Sequence, residues 1–134
     1  MDKFTGLAAS LPVEEQNVIF RVSAQIGVPA LMLAAIRLAE NGRPGREFGV
    51  LSEAADTYVA QARICALSIR NNQYRYVLKT TQWPIDSATG QLSRGFVEFM
   101  ALRWAPPGVG NDPTNLNANW PGNVWRFYSE SGVA

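Results

Sequence analysis

Residues 28–52 read VPALMLAAIRLAENGRPGREFGVLS, and this stretch decides the fold. Pro29 suits the first turn of a helix because its missing N–H has no intrahelical partner there. Apolar residues, interrupted only by Arg37, then cover almost the whole circumference, which predicts a helix that is buried on most sides. The helix should end at Glu40, since Asn41-Gly42 is a typical helix stop. A buried helix would thus deliver one acid into a glycine-rich loop.

Length and composition set the class of protein. The chain has 134 residues, 47% of them hydrophobic and 17% charged, which predicts a single folded domain over residues 1–134 with a sizeable core. Twelve basic and eleven acidic residues leave a net charge of +1, so we expect no nucleic-acid partner. The longest apolar run, 28–36, is shorter than the roughly 20 residues that span a bilayer, so we expect no membrane insertion.

The chain contains no histidine and one cysteine, Cys65. The lack of histidine excludes Ser-His-Asp and Cys-His catalysis and removes the commonest zinc ligand. One cysteine cannot form an intramolecular disulfide, and the neighbours of Cys65 favour a small buried side chain. We therefore expect no metal and no cofactor, with carboxylates as the main acid–base groups. The N-terminus lacks the pattern of a signal peptide, which predicts synthesis in the cytoplasm.

Helical spacing recurs before the opening stretch and after it. Ser10 is the predicted cap of a first helix that carries an apolar face of Val18, Val22 and Ile26. A third helix should run from about Glu53 or Asp56 to about residue 71, with Asn71-Asn72 either a bend or part of a longer helix, and with Gln61 away from its apolar face. Two more helices are predicted over 92–104 and from residue 120. Since no segment alternates with a period of two, we expect a mainly α domain of about five helices with little or no β-structure.

Glu40 is the strongest candidate for a catalytic acid. Leu33 and Ile36 precede it by seven and four positions, so the three side chains share one helix face. Apolar neighbours raise the pKa of a carboxyl group, as a general acid working near neutral pH requires. The alternative is a solvated acid at the helix end, paired with Arg37 or Arg43.

Two segments are candidates for binding a ligand. In the first, the candidate binding residues are Gly49, Val50 and Ser52, because a glycine followed by apolar residues lets the backbone approach a ligand closely. The segment equally suits a turn in which Ser52 caps the next helix. The second, 104–125, interleaves tryptophan with asparagine, a combination of apolar platforms and amide hydrogen bonds that suits sugar rings. Its asparagines could instead form turns and caps, with the tryptophans in the core. The candidate binding residues of this segment are Trp104, Asn111, Asp112, Asn117 and Trp120.

Asp112 is also the candidate for a second catalytic carboxylate. Ordinary glycosidases use two carboxyl groups, one as acid and one as base or nucleophile. Asp112 is followed by a proline, however, and Asp-Pro commonly opens a turn. We favour the turn for Asp112.

The order of these motifs resembles a known family. Glu40-Asn41-Gly42 followed by Gly49-Val50-Leu51-Ser52 is similar to the Glu-Ser-Gly and Gly-Leu-Met-Gln signature of lysozyme-like soluble lytic transglycosylases and goose-type lysozymes. Arg103-Trp104-Ala105-Pro106 and the stretch 111–120 resemble the C-terminal part of phage- and prophage-borne members. The likeness covers residues 12–128. Asn41 stands where serine is usual, Ser52 stands where glutamine is usual, and the loop 42–48 is short, which affects the substrate contacts more than the identity of the acid.

The resemblance implies a lysozyme-like fold and a muramidase that cleaves the β-1,4 bond between N-acetylmuramic acid and N-acetylglucosamine in peptidoglycan. Glu40 would be the general acid and then the base, by the transglycosylase route that leaves a 1,6-anhydro product. The expected partner is the peptidoglycan glycan strand, bound by a monomer that acts at the bacterial cell wall after release or as a virion component. The alternative is a phage virion or wall-binding protein that keeps the fold without catalysis. A DNA-associated phage protein is disfavoured by the neutral charge.

Overall fold

The computed structural model describes residues 2–85, 91–105 and 116–134. These residues form five α-helices, which confirms the predicted mainly α fold. The helices are α1 (Val13–Ile26), α2 (Ala30–Glu40), α3 (Tyr58–Thr80), α4 (Arg94–Trp104) and α5 (Trp120–Ser129). Short 3-10 turns, Leu7–Ser10 and Leu116–Asn119, precede α1 and α5.

A small antiparallel sheet joins the two ends of the chain. Its strands are β1 (Phe4–Gly6) and β2 (Ser131–Val133), with Phe4 opposite Val133 and Gly6 opposite Ser131. Phe4 is buried and stacks on Phe20 of α1 with 4.3 Å between the ring centroids. The sheet is three residues long on each side, in keeping with the prediction of little β-structure.

Helix α2 lies at the centre and contacts α1, α3 and α5. Met32–Ile36 are at most 1% exposed, which confirms the prediction of a buried helix. The second half of α2, from Arg37 to Glu40, is partly exposed, so the acid lies where the helix leaves the core. Asn41 adopts a left-handed conformation with φ 46° and ends the helix as predicted. All five helices contribute to one buried cluster, for example through Ile19, Leu33, Ile69, Met100 and Val124.

The predicted cap of α1 is wrong. Pro12 occupies the N-cap position of α1, and the hydroxyl of Ser10 donates instead to the carbonyl oxygen of Leu7 at 2.8 Å. The reason is the extended backbone at Leu11 and Pro12, which carries Ser10 away from the first N–H groups of α1. Within α1, the buried side chains are Ile19, Val22 and Ser23, and Val18 and Ile26 are partly exposed on either side of them.

The start of α3 also differs from the prediction. The helix begins at Tyr58 and is capped by Thr57, whose side chain accepts a hydrogen bond from the Ala60 N–H at 3.1 Å. Ser52 does not cap it, because its carbonyl accepts from the Ala55 N–H and closes a separate turn. The helix then continues without a break to Thr80, and in the described part of the chain no helix is both long and apolar enough to cross a membrane.

Asn72 explains why α3 continues through the predicted bend. Its side-chain N–H donates to the carbonyl oxygen of Ser68, one turn earlier, at 2.8 Å. Its side-chain oxygen accepts from Arg75, almost one turn later. Both hydrogen bonds run along the helix rather than competing with it, so the asparagine pair does not interrupt α3.

Candidate active site

Two tryptophan side chains hold the carboxylate of Glu40. The indole N–H of Trp104 donates to Glu40 Oε1 at 3.1 Å, and that of Trp120 donates to the same oxygen at 2.8 Å. Trp104 is the last residue of α4 and Trp120 the first of α5, so the end of one helix and the start of another meet at the end of α2. The packing of α5 against both α2 and α4 brings the three side chains together.

The other carboxylate oxygen faces the backbone of Gly49. A Cβ atom added at Gly49 would lie 2.2 Å from Glu40 Oε2 and 2.5 Å from its Cδ. The φ of Gly49 is +75°, a left-handed conformation that side chains disfavour. Both observations require glycine at this position, since only a residue without Cβ lets the loop approach the acid so closely.

Gln61 fixes the loop that carries Gly49. Its side-chain oxygen accepts from the N–H groups of Phe48 and Val50, both at 3.2 Å. Its side-chain nitrogen donates to the carbonyl oxygens of Val50 at 2.9 Å and Ala55 at 2.5 Å. The four bonds use the full capacity of the amide on both sides of Gly49.

The prediction that Gln61 lies away from the buried face of α3 is wrong. The side chain is fully buried. Gln61 precedes Cys65 and Ile69 by four and eight positions, so helical spacing already placed it on the face of two buried residues. A polar residue on a helix usually indicates an exposed position, whereas here the amide of Gln61 satisfies buried backbone groups.

Burial favours the neutral form of the Glu40 carboxyl group. Loss of solvent raises the pKa of the Glu40 carboxyl group, and the hydrogen bonds from Trp104 and Trp120 oppose that rise without cancelling it. None of the ion pairs in the described ranges includes Glu40. Arg37 pairs instead with Glu15 of α1 at 2.8 Å, so the alternative that Glu40 pairs with Arg37 is wrong. The acid is held by neutral donors.

An open groove of about 290 Å³ runs beside the acid. It is lined by Gly49, Val50, Leu51, Ile64, Arg103 and Trp104. Gly49 and Trp104 each touch the Glu40 carboxylate as well, so the acid and the groove share two residues. A ligand in this groove would lie against the residues that surround the carboxylate.

The predicted binding residues fall into three groups. Gly49, Val50, Trp104 and Trp120 lie with Glu40, although the backbone N–H and C=O of Val50 are both engaged by Gln61 and Trp120 is only 6% exposed. Ser52 is exposed after the groove, and Asn117 is partly exposed in the 3-10 turn before α5. Asn111 and Asp112 lie outside the described residues.

Cys65 is buried, as predicted. Its burial is the main reason that the pKa of the thiol lies well above its ordinary value, and Glu40, when it is ionised, adds to the rise. Within residues 2–85, 91–105 and 116–134, His, Cys, Asp and Glu side chains form no group of three that could hold a metal ion.

Comparison of the chain with protein-family models, with curated proteins and with solved structures finds no match.

Proposed function

We propose that this protein is a muramidase that cleaves the β-1,4 glycosidic bond between N-acetylmuramic acid and N-acetylglucosamine in peptidoglycan, with Glu40 as the general acid. The observation that supports it most is the environment of Glu40: a buried carboxyl group with a raised pKa, held by two neutral donors beside an open groove. A general acid must carry its proton near neutral pH, and burial without a cationic partner favours the protonated form.

The two oxygens of Glu40 have different roles in this proposal. Oε1 accepts two indole N–H groups, which stabilise negative charge on it and make it the poorer site for a proton. The proton of the neutral acid is then on Oε2, the oxygen against the Gly49 backbone. Gly49 also lines the groove, so the proton lies on the side from which a glycosidic oxygen would approach.

The reaction uses the same group twice. Glu40 Oε2 gives its proton to the glycosidic oxygen as the bond from that oxygen to the muramoyl C1 breaks, and the carboxylate stabilises the positive charge at C1. The C6 hydroxyl of the same muramoyl residue then attacks C1 and returns its proton to Glu40, which leaves a 1,6-anhydro product. This route needs one carboxyl group. Asp112, the candidate for a second one, lies outside the described residues.

Replacement of Glu40 tests the proposal. Glu40→Gln keeps an acceptor oxygen for both indoles but cannot donate an acidic proton, so we expect it to release no soluble fragments from purified sacculi while remaining folded. The matched control is Glu14→Gln, which removes an exposed carboxylate from the first turn of α1 and should keep wild-type activity. A Glu40→Gln protein with full activity would contradict the proposal.

Mass spectrometry of the released fragments decides the route. Anhydromuropeptides indicate the transglycosylase route, and products with reducing ends indicate a hydrolase. A wild-type protein that binds sacculi and releases neither product would instead be a non-catalytic wall-binding protein, and the muramidase proposal would be wrong.

A further inference from the structure

A second groove, between α3 and α4, adjoins the candidate active site. We call it the α3/α4 groove; it has a volume of about 210 Å³ and is lined by Ser68, Asn71, Asn72, Arg75, Arg103 and Trp104. Arg103 and Trp104 also line the groove beside Glu40. The α3/α4 groove therefore begins at a tryptophan that contacts the candidate acid.

The α3/α4 groove continues away from Glu40 along the two helices. At Arg75 it adjoins a further depression lined by Arg75, Leu78, Lys79, Phe99 and Leu102. Leu78 is 83% exposed and Leu102 is 67% exposed, so this far end offers apolar surface next to a lysine. The α3/α4 groove and this depression together form a path that starts at Trp104, passes Arg103 and Arg75, and ends at an apolar surface next to Lys79.

The positive charges of this path lack carboxylate partners in the described part of the chain. Arg37, Arg94 and Arg126 each pair with a glutamate, whereas neither Arg75 nor Arg103 does so. Among the residues that the structure describes, none of those lining the path is an aspartate or a glutamate. A net charge of only +1 for the chain makes this a local concentration of charge rather than a general property of the surface.

Arg75 is held in place by neutral groups. Its guanidinium donates to the side-chain oxygen of Asn72, which is 6% exposed and is itself anchored to the Ser68 carbonyl. The same guanidinium lies 5.2 Å from the centroid of the Phe99 ring. Arg103 lines the same groove, and partial desolvation together with the positive charge of Arg103 lowers the pKa of Arg75, so the two cations repel each other. An anion between them would relieve that repulsion.

We propose that the α3/α4 groove binds the carboxylate groups of the peptide stem on the muramoyl residue next to the bond that is cleaved. This inference rests on the proposed muramidase function, because the glycan of peptidoglycan is itself uncharged and its peptide stems carry the carboxylates. A guanidinium with a fixed plane binds a carboxylate through two parallel N–H donors, which suits Arg75. Apolar side chains of the stem would lie on Leu78, Phe99 and Leu102. The peptide would then help to place the scissile bond against Glu40.

The first experiment compares glycan strands with and without the peptide stem. Removal of the stem leaves one lactyl carboxylate on each muramoyl residue, so the comparison tests the carboxylates of the peptide itself. Wild-type protein is given glycan strands that carry their stems and strands from which an amidase has removed them, and we expect faster cleavage of the first. The double variant Arg75→Gln/Arg103→Gln should lower the ratio of the two rates by about five- to tenfold, which corresponds to about 0.5–0.7 kcal/mol for each of two exposed ion pairs. Circular dichroism establishes that the variant is folded. Raising the salt concentration should lower the ratio for the wild type in the same way.

A matched control removes charge elsewhere. Arg21→Gln takes one positive charge from the exposed side of α1 and should leave the ratio at the wild-type value. An unchanged ratio in the double variant, or equal cleavage of both substrates by the wild type, would overturn the inference while the muramidase proposal stands.

The second experiment does not depend on cleavage. The Glu40→Gln protein, which is expected to be inert, is titrated by NMR with a disaccharide-tetrapeptide and with the same disaccharide carrying a simple amide in place of the peptide, so that its lactyl group is uncharged. We expect the Trp104 indole resonance and the amides of Arg75 and Arg103 to shift further with the peptide. Shifts of this kind would support the groove even if the wild type cleaved nothing, which would defeat only the muramidase proposal. Equal shifts with both ligands would overturn the assignment to a peptide carboxylate. So would shifts that inorganic phosphate causes and the disaccharide-tetrapeptide does not.

Discussion

The indole N–H of Trp120 donates a hydrogen bond of 2.8 Å to Oε1 of Glu40, and this bond ties the first residue of α5 to the last residue of α2. Trp104 donates to the same oxygen, while Oε2 lies on the backbone of Gly49. The carboxyl group therefore has one oxygen that favours charge and one that is confined by a loop. The pKa of Glu40 therefore depends on the surroundings of both oxygens.

The tryptophan donors should tune the acidity of Glu40. Trp104→Phe removes one N–H group that stabilises the carboxylate, so the pKa of Glu40 should rise further above its ordinary value. Glu40 would then stay protonated to higher pH, and the alkaline limb of the pH–rate profile for sacculus cleavage should move to higher pH. Trp120→Phe should act in the same direction and also lower stability by about 1–3 kcal/mol, because this ring is buried.

Trp83→Phe is the control for loss of an indole, since Trp83 is 53% exposed and lies in the loop after α3. It should leave the pH profile unchanged. An alkaline limb that stays in place, or moves to lower pH, in both Trp104→Phe and Trp120→Phe would contradict the role given to the indoles.

Glu40 should also make the stability of the protein depend on pH. The unfolded carboxyl group titrates near pH 4.3, and the folded one has a higher pKa, so the folded state binds the proton more tightly. The stability that the neutral form confers is fully present below about pH 4.3 and is lost as the pH rises to the folded pKa. Glu40→Gln stays neutral throughout, so we expect it to be more stable than the wild type above that window.

Urea unfolding at several pH values measures this difference. Glu14→Gln, which changes an exposed acid, should follow the wild-type curve. If Glu40→Gln loses stability with rising pH as steeply as the wild type does, the raised pKa of Glu40 is not the cause of the pH dependence.

The sequence predicts the structure best where interactions between neighbouring residues decide it. The segment 30–39, apolar except for Arg37, predicts a buried helix. Asn41 ends this helix in a left-handed conformation that asparagine tolerates well. The shared face of Leu33, Ile36 and Glu40 follows from helical spacing, and the first two are fully buried. These features need no knowledge of the remaining chain.

The contacts of Glu40 could not be predicted in the same way. Trp104 and Trp120 follow it by 64 and 80 positions, and only the packing of α4 and α5 brings their N–H groups to one oxygen. Spacing placed Gln61 with Cys65, but which backbone groups it satisfies depends on the path of the loop. Interactions between distant segments are decided by tertiary packing rather than by local pattern.

Gly49 should tolerate no side chain. In Gly49→Ala, the new Cβ would lie 2.2 Å from Glu40 Oε2, so either the loop or the carboxyl group must move. A positive φ alone costs a non-glycine residue about 1 kcal/mol, and the steric conflict adds to that cost. We expect a large loss of sacculus cleavage at temperatures where the variant is still folded.

Gly27→Ala separates the two effects. Gly27 has a φ of +85° but no other atoms within 4 Å of an added Cβ, so this variant carries the backbone cost without the conflict. It should lose about 1 kcal/mol of stability and keep its activity. Equal activity in the two variants would show that the close approach of Gly49 to Glu40 is not needed.

Gln61 should affect both stability and the acidity of Glu40. Methionine has a side chain of similar length to glutamine but cannot make its hydrogen bonds. In Gln61→Met, the N–H groups of Phe48 and Val50 and the carbonyl groups of Val50 and Ala55 lose their partner. We expect the free energy of unfolding, measured with urea, to fall by about 2–5 kcal/mol. A loosened loop would admit water to Glu40 and lower its pKa, so the alkaline limb of the pH–rate profile should move to lower pH, opposite to the tryptophan variants. Gln25→Met, at an exposed position of α1, should change neither quantity. A destabilised Gln61→Met protein with an unshifted pH profile would reduce Gln61 to a structural role.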